Sequence, residues 1–356
     1  MFSLQRYGGI SRYFANLYHS FQNGTDVVAD IPLLYCTNQY LKNETSLLPV
    51  IAGKMLASKK SRLYKWNKIY SQTSLKKNNF DLFHPTYYDP YFLKHLKKPY
   101  VITVHDMIYE LYPQYFDAKD KFVAHKKEVI RKADHIIAIS GSTKKDLQRI
   151  YSVDDEKITV IHHGFYPETT QQQPQGFTST NYLLFVGDRV HYKNFQLFAE
   201  AIAPLLTNDQ SLQLVCTGGG AFTTDEKIFF IKQGIADKVL QVNASNEELN
   251  FLYQHAKLFV FPSLYEGFGF PLLEAFSNNC PVAASNTSSF TEVGGEAVAY
   301  FDPTDKSSIH SVVSSLLSNA AAIQELQVKG SKRLGLFRMD DCAAATASVY
   351  RKILNR

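Results

Sequence analysis

The chain is poor in cysteine and has no long apolar run. Its four cysteines, Cys36, Cys216, Cys280 and Cys342, lie far apart. That spacing excludes a disulfide scaffold and a cysteine-rich zinc site, and it suits a reducing, cytoplasmic setting. No stretch of about 18 consecutive apolar residues occurs, so no segment reads as a membrane-spanning helix. Met1 to Gly9 carries Arg6 and then Tyr7-Gly8-Gly9 rather than an apolar core, which is not the pattern of a secretory signal. An Asp-x-Asp pair is missing from the whole sequence, so no residue is singled out as a metal ligand. Motifs for nucleic-acid binding are missing as well, and none is expected as a partner.

What is present is the composition of a water-soluble globular chain, 45% apolar and 20% charged over 356 residues. That length exceeds one ordinary core and implies two domains. Charge divides unevenly between them. Residues 1–150 hold 23 Lys and Arg against 12 Asp and Glu, while residues 151–356 hold 15 against 21. Much of the excess is Lys54, Lys59, Lys60, Arg62, Lys65, Lys68, Lys76 and Lys77, interleaved with Met55, Leu56, Leu63, Tyr64, Trp66 and Ile69. Such a segment can rest on an anionic bilayer surface or be a solvated helix face.

The stretch at 257–297 organises the rest. Lys257 to Ser263 is a short apolar run, the pattern of a buried parallel strand. Glu266-Gly267-Phe268-Gly269 is a glycine-rich loop, and Pro271 opens a helix at a position where its missing N–H is not needed. Asn278-Asn279 and Pro281 end that helix, and Val282 to Ala284 is the next strand. A loop of this kind at a helix N-terminus is a natural seat for a phosphate. Glu274, placed in the first helical turn, can accept from a hydroxyl pair such as a ribose, and Glu266 can do the same at the other end. The plainer alternative is that Glu274 caps its helix and Glu266 is solvated.

PSLYEGFGFPLLEA resembles the Glu-x7-Glu segment of retaining glycosyltransferases of family 4, and Thr291-Glu292-Val293-Gly294-Gly295 is similar to a later motif of that family, with Thr in place of Pro. The resemblance implies an α/β protein of the GT-B fold: two doubly wound Rossmann-like domains facing a cleft, with a last helix crossing back to the first domain. The expected division is 1–165 for the N-terminal domain, 166–180 for a linker (YPETTQQQPQGFTST), 181–336 for the nucleotide-sugar domain and 337–356 for the returning helix. Met1 to Gly9 comes just before a helix pattern (Ile10, Tyr13, Phe14, Leu17, Phe21), where the family has a strand first; that strand is expected to be absent here. Strands are expected at Val27–Tyr35, Phe80–His84, Tyr100–Val104, His135–Ser140 and Ile158–His162, with helices at about 115–133 and 142–151. In the second domain they are expected at Tyr182–Val186, Leu212–Cys216 and Val239–Asn243.

The resemblance also assigns candidate residues. Gly8 and Gly9 match a family loop facing the donor diphosphate, although an ordinary turn explains them equally well. Arg189 and Lys193, in GDRVHYKN, match the family's Gly-x-Arg-x-x-x-Lys-Asn and would grip the diphosphate with Gly267, Phe268 and Gly269. Two solvated cations are the alternative. Glu274 would bind ribose. His105, in HDMIYELYPQYF, matches a histidine facing the transferred sugar and would act there with Glu266; that segment is similar to the mannosyltransferase-like members. His84, His162 and His163 are read as structural. The implied reaction is transfer of a hexose, mannose being preferred, from a GDP- or UDP-linked sugar to a glycan or lipid-linked glycan, with no cofactor and no metal required. Surface polysaccharide or lipopolysaccharide assembly on the inner face of a membrane is the implied setting. A nucleotide-sugar epimerase and a nucleotide-sugar-binding protein without turnover remain open on the sequence.

Overall fold

A computed structural model describes residues 1–24, 26–41, 46–168 and 170–355. The chain forms two compact units, Met1–Gly164 with Phe337–Arg356, and Phe165–Leu336.

The first unit is built on a parallel sheet of β1 (Val101–Val104), β2 (His135–Ala138) and β3 (Ile158–Val160), in that order. Every residue of β1 and β2 is buried. Alternate side chains of a strand leave on opposite faces, so both faces need cover. Val101 and Ile137 pack with Tyr13, Phe14, Leu17 and Phe21 of the helix Gly9–Gly24 and with Cys342, Ala343 and Ala347 of the helix Met339–Leu354. Ile102, Val104, Ile136 and Ala138 pack on Val129 and Ile130 of the helix Phe122–Lys132 and on Leu147 of the helix Gly141–Tyr151. The C-terminal helix therefore belongs to the first unit. It starts against Gly164, where a Cβ would meet the Met339 Cα at 2.3 Å.

Three expectations for this unit are corrected. Val27–Tyr35 is not a strand. Val27, Ala29, Ile31 and Leu33 do pack on the core in strand-like alternation, but among the described residues only Leu33 finds a β-bridge, to Ser46. Phe80–His84 likewise contributes a single bridge, Phe83 to Tyr100. Both segments line a cavity of about 1150 Å³ formed by residues of the first unit. The helix expected at 115–133 is shorter, Phe122–Lys132, preceded by a short helix Ile108–Leu111 and a single turn Pro113–Tyr115. Pro113 cannot continue the first of these, and the carboxylates of Asp117 and Asp120 accept from Lys119 N and Phe122 N, which turns the chain before the second. Residues 1–8 form turns.

The second unit carries a six-stranded sheet of β4 (Tyr182–Val186), β5 (Gln213–Thr217), β6 (Val239–Val242), β7 (Leu258–Phe261), β8 (Val282–Ser285) and β9 (Ala299–Phe301). Their order is β6-β5-β4-β7-β8-β9, and every pairing is parallel. The strand order reverses between β4 and β7. In open parallel sheets a ligand crevice lies beyond the carboxyl ends of strands at such a switch point. The described part of 166–180 contains no helix or strand and is held to the second unit by Asn250, whose side-chain amide donates to the carbonyls of Glu168 and Thr170.

Candidate functional site

The loops after β4 and β7 meet at the switch point. After β4 the chain runs through Gly187 to a single helical turn, His191–Lys193, and Asn194 then adopts a left-handed conformation (φ 58°, ψ 27°) to start the helix Phe195–Asn208. The Asn194 amide fixes this corner by donating to the carbonyls of Pro262 and Pro303. Lys193 is thereby carried to the β7 loop, where its Nζ lies 2.6 Å from Glu266 Oε1. Both side chains keep some exposure, 17% for Lys193 and 14% for Glu266. Burial disfavours the ammonium, but the Glu266 carboxylate beside it more than compensates, and the Lys193 pKa lies above its ordinary value.

The glycine loop itself is buried and pinned. Ser288 accepts from Glu266 N, and the Ser289 hydroxyl donates to the carbonyls of Glu266 and Phe268, each at 2.9 Å. Gly269 has φ 102° and ψ 53°, a conformation that favours glycine, and caps the helix Phe270–Ser277. Gly267, Phe268 and Gly269 thus sit at the entrance to a helix whose N-terminus carries positive partial charge. Glu274 lies in the second turn of that helix rather than the first, because Phe270 precedes Pro271 in it. Its carboxylate accepts from the buried Tyr253 hydroxyl at 3.3 Å.

Arg189 departs from the expected open fork. Its Nε lies 2.7 Å from Glu226 Oε1. One terminal nitrogen donates to the Gly218 carbonyl and Gln241, and the other to the Gly220 carbonyl at 2.9 Å. The guanidinium also covers the Phe222 ring at 4.7 Å, and its side chain is 3% exposed. Gly218, Gly219 and Gly220 all have positive φ, so their carbonyls converge on one cation. Arg189 ties down the loop after β5; its partners do not include the Glu266 loop.

In the first unit, His105 follows β1 directly. The ring is buried and packs against Tyr13 (centroids 5.5 Å), Phe14 (5.9 Å) and, stacked, His163 (5.5 Å). Among the described residues its Nε2 has no hydrogen-bond partner. Burial first, and then the Lys126 ammonium, push its pKa down to about 3, so the imidazole is neutral. His84 joins the same group: one nitrogen shares a hydrogen bond with the Tyr350 hydroxyl at 2.7 Å, the other with Thr103 Oγ1 at 2.9 Å. Burial and then His105 lower its pKa to about 3. His163 is lowered as well, by burial and then by His105. His162 lies elsewhere, against Phe337. Gly8 and Gly9 start the first helix with ordinary negative φ; Gly8 O accepts from the Ser11 hydroxyl, and Gln5 Oε1 accepts from Ser11 N. Sequence reasoning missed Lys126 and Glu110, a buried pair beneath His105, and the assembly of His84 and His163 around it. The family match singled out His105 alone, and nothing in the spacing joins His84 and His163 to it.

Comparison with known proteins agrees with this architecture. The family model for group 1 glycosyl transferases matches residues 167–333, and that for glycosyltransferase family 4 matches residues 7–169. The chain is 31% identical over 216 residues to the O-antigen chain mannosyltransferase RfbU of Salmonella typhimurium, a match covering 60% of each protein. It is 26% identical over 282 residues to the O-antigen chain mannosyltransferase B of Escherichia coli, covering 74% of each. With the MMP alpha-(1->4)-mannosyltransferase of Mycolicibacterium hassiacum it shares 29% identity over 66% of this chain and 58% of that one. The chain thus spans about three fifths of the length of two of these relatives. Among solved structures, sucrose-phosphate synthase from Thermosynechococcus elongatus superposes with a TM-score of 0.72 at 19% identity, over 98% of this chain and 94% of that one. Anabaena HepE, solved in complex with UDP and glucose, gives 0.71 at 14% identity, over 96% and 95%. These likenesses show the GT-B fold. With both halves matched by its models, the chain belongs to the family 4, group 1 glycosyltransferases.

Proposed function

We propose that this chain transfers a hexose, mannose before others, from a nucleotide-diphosphate sugar to a glycan or lipid-linked glycan of a surface polysaccharide, with retention at the anomeric carbon. The observation that carries this reading is the Lys193–Glu266 pair at the switch point of the second sheet. A cation held by one carboxylate at the mouth of a glycine loop is poised to exchange that partner for a diphosphate. Lys193 and the backbone at 267–269 meet the charge that develops on the leaving group, which is preorganised electrostatic stabilisation without a divalent ion. Released from Lys193, Glu266 accepts from sugar hydroxyls and places the anomeric carbon. Glu274, oriented by Tyr253, accepts from the ribose. Arg189 contributes by holding the Gly218–Gly220 turn rather than by touching phosphate. In the first unit, His105 offers a neutral nitrogen to a hydroxyl of the transferred sugar.

The names of the relatives favour mannose and therefore a GDP-linked donor. A thermal-shift panel of GDP-, UDP-, ADP- and dTDP-sugars tests this: the GDP-sugar should stabilise most, and no stabilisation by any of the four would overturn the donor site. Release of nucleoside diphosphate that depends on an added acceptor separates transfer from epimerisation and from binding alone.

The reading includes a membrane surface. Residues 46–80 hold eight Lys and Arg and no Asp or Glu. Ile51 is 80% exposed and Met55 72%, while Trp66 and Ile69 on the helix Lys60–Lys77 are also exposed. Cations among outward apolar side chains fit an anionic lipid interface. Vesicles with anionic lipid should sediment the protein at low salt and release it at high salt; equal retention on neutral vesicles would overturn this part.

A further inference from the structure

Three supports converge on the short main-chain stretch that carries His105. Lys126 is fully buried on the helix Phe122–Lys132, and its ammonium lies 2.6 Å from the Asp106 carbonyl and 3.0 Å from Glu110 Oε2. Glu110 is held in turn by the Tyr151 hydroxyl, which donates to Oε1 at 2.6 Å. The third support is Tyr88: its hydroxyl accepts from His105 N at 3.0 Å and donates to the Thr103 carbonyl at 3.4 Å, while its ring lies 5.4 Å from the Lys126 ammonium. Side-chain exposure of the ion pair is 0% for Lys126 and 3% for Glu110.

A sealed ion pair is an expensive way to fill a core. Apolar side chains of similar volume usually serve as well or better. The pair does not lie idle against other apolar groups, however. The ammonium is bonded to the carbonyl immediately after His105, and Tyr88 is bonded to the N–H of His105. Between those two anchors stands an imidazole with an unpartnered, buried Nε2. An unsatisfied polar atom of this kind holds its direction only if the backbone beneath it cannot rotate to relieve it.

We propose that Lys126, Glu110 and Tyr88 are positioning residues that lock the His105–Asp106 main chain and so aim the His105 ring at the sugar. The inference rests on the reading of His105 as a sugar-contacting group. Charge acts in the same direction. The groups around the imidazole are His84, His163, Tyr13 and Tyr88, with Asp106, Glu110 and Lys126 below. Among the cations there, Lys126 is the one that opposes a proton on His105.

The test is the double variant K126M/E110Q, which removes both buried charges together and leaves neither stranded. It should fold with a melting temperature close to the parent. Its kcat should fall roughly 10- to 100-fold, the scale of a small misplacement of a catalytic group, with the KM for the donor little changed. The acid limb of its pH–rate profile should move to higher pH, because the cation near His105 is gone. Y88F, which keeps the ring and the charge, should lower kcat by a smaller factor and leave the pH profile in place. A double variant with parental kcat and parental pH profile would overturn the inference. Should it fail to fold, parental kcat in Y88F alone would overturn it. H105A separates the two levels: if H105A is fully active, the reading of His105 fails; if H105A is crippled while K126M/E110Q is not, only the positioning role fails.

Discussion

Two Lys–Glu pairs, one in each unit, are built in opposite ways. Lys193–Glu266 joins two loops and retains 17% and 14% exposure; Lys126–Glu110 is sealed at 0% and 3%. The loop pair keeps an exposed edge, and under the proposed function a ligand anion displaces the carboxylate there. The sealed pair is wrapped by Tyr88, Phe122 and Tyr151, with no route for exchange. Under the proposed function the contrast separates a charge kept for binding from a charge kept for shape. The guanidinium of Arg189 is engaged by Glu226, Gln241 and loop carbonyls, and under the proposed function it belongs with the second kind.

Substitutions that treat the pairs alike should produce losses of very different size. K126M on its own leaves Glu110 buried and uncompensated, and it should cost about 3–5 kcal/mol in urea unfolding. K193M should cost about 1 kcal/mol or less, because its partner can turn to water. Equal losses in the two variants would erase the distinction. R189A should fall between them: several loop carbonyls and Glu226 lose their donor, so about 2–3 kcal/mol of stability should go, with nucleotide-sugar affinity weakened as the Gly218–Gly220 turn loosens.

Acid should separate the units. His84 and His105 have folded pKa values lowered to about 3, and His163 is lowered too. Against an unfolded value near 6.5, the unfolded chain binds more protons throughout the interval below it. The stability these groups contribute is complete above about pH 6.5 and is lost as pH falls toward 3, at up to roughly 1.4 kcal/mol per pH unit for each histidine. Trp66 is the sole tryptophan and lies in the first unit, so its fluorescence reports that unit. Urea midpoints followed at Trp66 should drop between pH 7.5 and 5.5 in the parent and drop less in H84N. A midpoint independent of pH would contradict the neutral histidine cluster.

Local pattern carried much of this molecule into the sequence. The strands at Tyr182–Val186 and Leu258–Phe261 could be read because each is a short apolar run closed by glycine or proline, and both faces of a parallel sheet are buried. The glycine loop and its helix were legible for the same reason, apart from one turn at Glu274. Long-range pairing was not legible. Val27–Leu33 has the alternation of a strand, yet a ladder depends on what stands beside it, and periodicity does not report that. Arg189 was read from its match to the family's Gly-x-Arg-x-x-x-Lys-Asn, a local pattern, whereas its partners come from β6, from the loop after β5 and from the helix Thr224–Lys232. Lys126 and Glu110 lie sixteen residues apart on two different helices, and nothing in the spacing marks them as a pair.

The most direct measurement is calorimetric titration of a nucleoside diphosphate, with the base chosen by the thermal-shift panel, into the parent and into K193A, in parallel with turnover. Affinity and turnover should fall together, the affinity by roughly 10- to 100-fold, as expected for losing a charged hydrogen bond to phosphate. Undiminished affinity in K193A would contradict the assignment of Lys193 to the diphosphate, and with it the account of how this chain meets the charge on its leaving group.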